Sequence, residues 1–222
     1  MMVFNSHFAS RSKLFTTLFI VLALSSSFAF ANPTESLLHR FHQAEQGNSD
    51  MVDSVHDELS TLLEQQGATP LTLVYLGCTQ TLQGRDAFMP WNKMKFTERG
   101  LATIQKGLDL MAHQPLPIQE QQRLQGLPEY LLATAMAATT YTALPDMFNQ
   151  FERGYELYLA LFNDPSFRQQ SFSSTAWIYR YAIEAALRAD DTTQAKAWLA
   201  EMERLGYDNV ETQGAKTLLA KH

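Results

Sequence analysis

Apolar residues recur at three- and four-residue spacing along most of this chain. That is the period of an α-helix with one face turned inward. Met51, Val55, Leu59 and Leu62 form one such stripe, and Leu71, Val74, Cys78 and Leu82 form a second. Leu101, Ile104, Leu108 and Met111 form a third. Phe148, Phe151, Tyr155, Tyr158 and Phe162 form a fourth, and Ala195, Trp198, Leu199, Met202 and Leu205 a fifth. No stretch of four or more strictly alternating residues is bounded by hairpin turns, so strands have no clear place. The pattern predicts an all-α fold.

The breakers between stripes agree. Thr69-Pro70, Leu127-Pro128 and Leu144-Pro145 put proline where a first helical turn tolerates it. Gly67 and Gly206 fall just past periodic runs, as C-terminal caps do. Asp191 with Gln194 three residues later reads as a variant capping box, and Ser173 or Ser174 can cap the helix that holds Trp177. The helices then group into four hairpins. They cover about 35–66 (broken at Gly47-Asn48), 70–112 (broken around 84–91), 128–163 (broken near Leu144-Pro145) and 174–205 (broken at Asp190-Asp191). A short helix at about 210–220 closes the chain, and the Gln- and Pro-rich stretch 113–127 reads as a connector or a short exposed helix. Hairpin starts at 35, 70, 128 and 174 follow no fixed period.

Two of the hairpins resemble the tetratricopeptide repeat, a helix-turn-helix unit. Leu76-Gly77 with Gly84 has the spacing of that repeat's first helix, and Gly100, Ile104 and Gly107, followed by Leu108, that of its second. Between the halves this chain carries about eight extra residues relative to the repeat. In 174–205 Ala195 and Leu199 take the small and aliphatic positions. Met202 stands where alanine is expected, and Ala182-Ile183 stands in place of Leu-Gly. The resemblance covers roughly 70–112 and 174–205. It implies stacked antiparallel hairpins, an α-solenoid of about four hairpins with a closing helix, and a concave face for a protein or peptide. It implies no reaction. The stretch Gly84-Arg85-Asp86-Ala87-Phe88-Met89-Pro90-Trp91 is also similar to one in small exported bacterial proteins of this type.

Residues 1–31 read as a secretory signal. Arg11 and Lys13 supply a basic start without any acid, and an apolar run from Leu14 to Leu24 follows. Ser25, Ser26 and Ser27 weaken that run, and Ala29-Phe30-Ala31 offers small residues at signal-peptidase spacing. Cleavage is expected between Ala31 and Asn32, which places residues 32–222 in a periplasm as a single helical domain. A spanning helix wants about 20 apolar residues, and the serines interrupt this run. No stable membrane insertion is expected after cleavage.

Charge narrows the partners. The signal carries two of the 17 basic residues and none of the 23 acidic ones, so the mature chain has 15 basic against 23 acidic, a net charge of −8. That argues against nucleic acid, whose phosphates reward clustered Lys and Arg, and against broad attraction to anionic lipid. The single cysteine, Cys78, cannot form an internal disulfide. Amid Val74, Tyr75, Leu76 and Leu82 it reads as a small buried apolar residue.

The strongest local oddity is Arg85 to Lys95. It sets Arg85, Asp86, Phe88, Met89, Pro90, Trp91, Asn92, Lys93, Met94 and Lys95 inside a presumed interhelical connection. Trp, Met and Arg are favoured at interface centres, so Arg85, Asp86, Phe88, Trp91, Lys93 and Lys95 form a candidate partner-binding loop. Alternatively, Phe88 and Trp91 tuck back into the hairpin while Lys93 and Lys95 stay solvated. A second candidate is the aromatic series Tyr155, Tyr158, Trp177, Tyr179 and Tyr181, with Tyr179 and Tyr181 set against a groove. The same spacings also suit a buried stripe.

Metal and cofactor chemistry finds no pattern. His39 and His42 can share a helix face, and His56 lies near Asp53 and Asp57, but there is no His-Glu-x-x-His and no paired cysteine. No Gly-x-Ser-x-Gly, Gly-rich phosphate loop or nucleotide fingerprint occurs, and Glu152, Glu156 and Glu184 lie on helices with polar neighbours. The expectation is therefore a non-enzymatic periplasmic adaptor without metal or cofactor, binding a protein or peptide of the cell envelope. A small-ligand binder is the alternative, and an enzyme without a familiar motif is the third.

Overall fold

The computed structural model describes residues 32–222 together with Met1. The expected signal and its cleavage after Ala31 lie outside the described residues. Within them the chain is all-helical, apart from one two-residue bridge. The order is α1 (Glu35–Glu45), α2 (Ser49–Gln66), α3 (Pro70–Asp86), α4 (Pro90–His113), then β1 (Arg123–Leu124) and β2 (Leu127–Pro128). After them come α5 (Glu129–Ala143), α6 (Phe151–Asn163), α7 (Pro165–Arg168), α8 (Phe172–Arg188), α9 (Thr192–Gly206) and α10 (Val210–Leu219).

Consecutive helices pack as pairs: α1 with α2, α3 with α4, α5 with α6, and α8 with α9. The pairs are linked through α3, which rests on both α2 and α5, and through α5 and α6 against α8, while α10 rests on α8 and α9. Helices α3 and α5 are buried on every side. In α3 each residue from Leu71 to Thr81 is buried. Its threonines return their hydroxyls to the helix backbone: Thr79 donates to the Tyr75 carbonyl at 2.8 Å and Thr81 to that of Cys78 at 2.7 Å. No buried hydroxyl is thereby left unpaired at either position. Helix α5 stays thin through Ala133, Ala135, Ala137 and Ala138, all fully buried.

The tightest approach lies between α3 and α4. A Cβ added at Gly77 would stand 2.6 Å from the Gly100 carbonyl oxygen and 2.6 Å from the Ile104 nitrogen. One added at Gly100 would stand 2.6 Å from the Gly77 carbonyl oxygen. The two glycines therefore let the backbones meet where any side chain would force them apart.

Helix ends follow the local sequence with a few departures. Thr69 caps α3 by accepting from the Thr72 amide at 3.1 Å, with Pro70 in the first turn. Gly67 ends α2 at φ 85°. Gly206, expected past the end of α9, is its last residue, and Tyr207 follows in right-handed helical conformation. The helix expected to be capped by Ser173 or Ser174 starts at Phe172 behind Ser171. The connector holds the β1–β2 bridge, turned through Gln125 (φ 52°) and Gly126 (φ 78°). The four-residue α7 has no counterpart in the sequence pattern, being too short to show a period.

Asp191 caps α9 by accepting from the Gln194 amide at 3.0 Å, and it also accepts from the Tyr155 hydroxyl at 2.9 Å. Asp191→Ala removes the cap and leaves that hydroxyl without its acceptor. Urea denaturation is expected to show a loss of about 1–2 kcal/mol. A change below about 0.3 kcal/mol would contradict the assignment.

Candidate functional site

The loop singled out in the sequence divides by function. Arg85, on the last turn of α3, reaches back to α1. Its Nη1 donates to the Glu45 carbonyl at 2.9 Å and its Nη2 to that of Ala44 at 3.0 Å. A cation there adds a bond to carbonyls of the last helical turn and meets the negative pole of the helix. Asp86 holds the same guanidinium, accepting from Nε at 2.6 Å and from Nη2 at 2.9 Å. Lys93 donates to the Arg85 carbonyl at 2.9 Å and so closes the end of α3. Arg85 thus ties the α3–α4 turn to α1 while Arg85, Asp86 and Lys93 all remain exposed, and Arg85 and Lys93 also face a groove beside the turn. Lys95 is exposed on α4.

The aromatic half of the loop does not tuck back. Phe88 is 88% exposed and Trp91 66%. The α5–α6 turn adds Met147, 70% exposed. Met147 lines a half-open groove of about 670 Å³, whereas Phe88 lines a separate pocket with Asp53 and Phe96. Phe41 of α1, Leu82 of α3, Pro90 and Met94 of α4, and Met147 and Phe148 supply the groove's apolar walls. Glu45, Arg85 and Lys93 also line it.

Cys78 and Thr140 line the groove too, and the Thr140 hydroxyl donates to the cysteine sulfur at 3.0 Å. Burial pushes the Cys78 thiol up to about 12, against the opposing pull of that hydrogen bond. A thiol so shifted carries almost no thiolate at neutral pH. Ellman's reagent at pH 8 is expected to leave the native protein unlabelled for hours and to react within minutes once urea unfolds it. Rapid native labelling would contradict this placement.

The second aromatic candidate also divides. Tyr179 is buried among Phe162, at 4.4 Å between ring centroids, and Phe167, at 5.8 Å. This aromatic packing leaves Tyr179 6% exposed, as a buried stripe would. Tyr158 is buried with its hydroxyl 2.8 Å from that of Thr139. Tyr181 is half-buried and faces a second cleft, of about 480 Å³, with its neighbour Trp177. Across that cleft stand His42 and Glu45 at the end of α1, with Gln125 from the β1–β2 turn. Glu45 lines both cavities.

No protein-family model, curated protein or solved structure matches this chain.

Among the described residues, no three His, Cys, Asp or Glu side chains converge as a metal site. Nor is any helix there long and apolar enough to cross a membrane. His42 has other company: its Nδ1 lies 3.3 Å from a Glu45 carboxylate oxygen and its Nε2 lies 2.9 Å from the Gln125 amide nitrogen. The hydrogen bond to Glu45 raises its pKa above the ordinary 6.5, against the opposing effect of burial. A histidine pKa raised by folding stabilises the protein fully below its unfolded pKa, and that stabilisation fades as pH rises through the folded value. The stability difference between wild type and His42→Gln should thus be larger at pH 5.5 than at pH 8.5. Equal differences in urea denaturation at the two pH values would contradict the pairing.

Neither cavity was visible in the sequence as a unit. Phe41, Leu82, Met94 and Phe148 come from four separate segments. Each reads alone as part of a helical stripe or a turn.

Proposed function

We propose that this protein is an exported, non-enzymatic adaptor built as a tetratricopeptide-like stack of helical hairpins. Its partner is a protein segment of the cell envelope. The occupied site is the groove between the α3–α4 and α5–α6 turns. The observation that carries this reading is an open apolar groove of about 670 Å³ with Met147 exposed on its wall, next to a connection through Pro90 that leaves Phe88 and Trp91 in solvent. Exposed apolar surface beside an open apolar groove is a common mark of an interaction site. Aromatic anchors that dock into a partner are the groups that dominate binding energy. The pairwise packing of helices, with α3 and α5 as links, suits a stacked scaffold. The groove walls offer side-chain surface and few free charges, because Arg85 and Lys93 are engaged within the chain. An extended segment with bulky apolar side chains is therefore the fitting occupant.

Affinity capture from envelope extracts, with the tagged chain 32–222 as bait, tests the reading. The expected result is a discrete protein, recovered with wild type and lost with Met147→Glu, which sets a charge at the groove mouth. Recovery of a bound small molecule with no protein would overturn the adaptor in favour of a ligand-binding function.

A further inference from the structure

The second cleft has a different chemistry, and we propose that it is a binding site for a neutral saccharide. Its aromatic wall is Trp177, set edge-on to Tyr181 with ring centroids 6.2 Å apart. An aromatic face is electron-rich. The C–H faces of a sugar ring carry slight positive charge and lie flat against such a surface. Around the wall stand donors and acceptors: the Gln125 amide and the Ser174 hydroxyl do both, and the Glu45 and Glu211 carboxylates accept. Hydroxyl groups need that mixture, since each can donate one hydrogen bond and accept two.

Each basic group of the cleft stands against a carboxylate. Arg180 places its Nε 2.5 Å from a Glu211 carboxylate oxygen and stacks its guanidinium 4.3 Å from the Tyr181 ring centroid. His42 stands against Glu45 at 3.3 Å. No uncompensated cation is left to hold a phosphate or a carboxylate, which argues against an anionic ligand. Paired ions still keep free lone pairs and protons, which can reach hydroxyls. The lining is too polar for a purely apolar ligand. At about 480 Å³ the cleft falls within the range of small-ligand sites, roughly 300–1,000 Å³. This site lies apart from Phe88 and Trp91 and stands whether or not the groove binds a protein.

The test is titration of the chain 32–222 with N,N′-diacetylchitobiose and with maltose to about 10 mM, a range that reveals millimolar dissociation constants. Tryptophan fluorescence and calorimetry are the readouts, with tri-alanine as the peptide probe. At least one sugar is expected to bind saturably and tri-alanine not to bind. Trp177→Ala should weaken sugar binding by at least about tenfold, Gln125→Ala by a smaller factor, and Trp91→Ala should leave it unchanged. If Trp177→Ala does not fold, Gln125→Ala decides alone. No response to either sugar, binding of tri-alanine in their place, or sugar binding indifferent to the Trp177 and Gln125 substitutions would each overturn the proposal.

Discussion

Gly100→Val is expected to destabilise the protein by about 3 kcal/mol or more, lowering the melting temperature by roughly 6–12 °C for a chain of this size. The cause is local and steric. The first carbon of the new side chain would lie 2.6 Å from the Gly77 carbonyl oxygen and 2.9 Å from the Thr81 nitrogen, both backbone atoms of α3. Backbone in a fully buried helix cannot swing aside as a long side chain can, so α3 and α4 must separate along their length. Helix α3 also carries the contact to α5, so the displacement passes into the next pair. Gly47→Ala is the contrast, since nothing lies within 4 Å of its added carbon and only its φ of 105° opposes the change. Thermal unfolding followed by circular dichroism checks both variants. A Gly100→Val protein as stable as wild type would show that the close approach is not needed.

The double substitution Phe88→Ser with Trp91→Ala is expected to abolish capture of the partner while leaving stability within about 0.5 kcal/mol of wild type. Both rings are mainly in solvent, 88% and 66% exposed, so their truncation opens no core cavity. In a complex the same rings become anchors, each worth about 2 kcal/mol when truncated. Together that amounts to roughly a thousandfold weakening. Arg85→Ala should behave in the opposite way. It removes the ties to the Ala44 and Glu45 carbonyls, so its first effect is on the end of α1 and on stability. Denaturation curves and capture assays on the three proteins separate the two roles. Loss of fold in the double variant would assign the aromatics to the scaffold instead.

The helices were legible because their signals are local. Stripes at helical spacing, Pro70 after Thr69 and Gly67 after Gln66 each act within one turn, and α1 to α4 follow them closely. The small residues Gly77 and Gly100 were legible as a packing device, since a helix pair needs space wherever its backbones meet. Centrality was not legible. The stripe Leu71, Val74, Cys78 and Leu82 suggests one buried face, whereas the structure buries all faces of α3 from Leu71 to Thr81. Thr79 and Thr81 can lie inside because their hydroxyls bond to the helix backbone, which no stripe of apolar positions reveals.

The candidate site was half legible. An odd loop with aromatics and cations was visible, but its division was not. Whether Arg85 faces a partner or the end of α1 depends on where α1 ends in space, forty residues away in sequence. Tyr179 and Tyr181 sit two positions apart, so a helix points them in different directions. One enters the aromatic core with Phe162 and Phe167, and the other faces the second cleft with Trp177.

Site-specific photo-crosslinking tests the central claim most directly. A benzoylphenylalanine placed at Met147, at the groove mouth, samples the proposed docking surface, and one at Val210, 78% exposed on α10, samples a surface away from it. Irradiation in intact envelopes is predicted to yield one discrete protein adduct from position 147 and none from position 210. Adducts of the same protein from both positions, or from neither, would contradict an adaptor that docks its partner at the α3–α4 and α5–α6 turns.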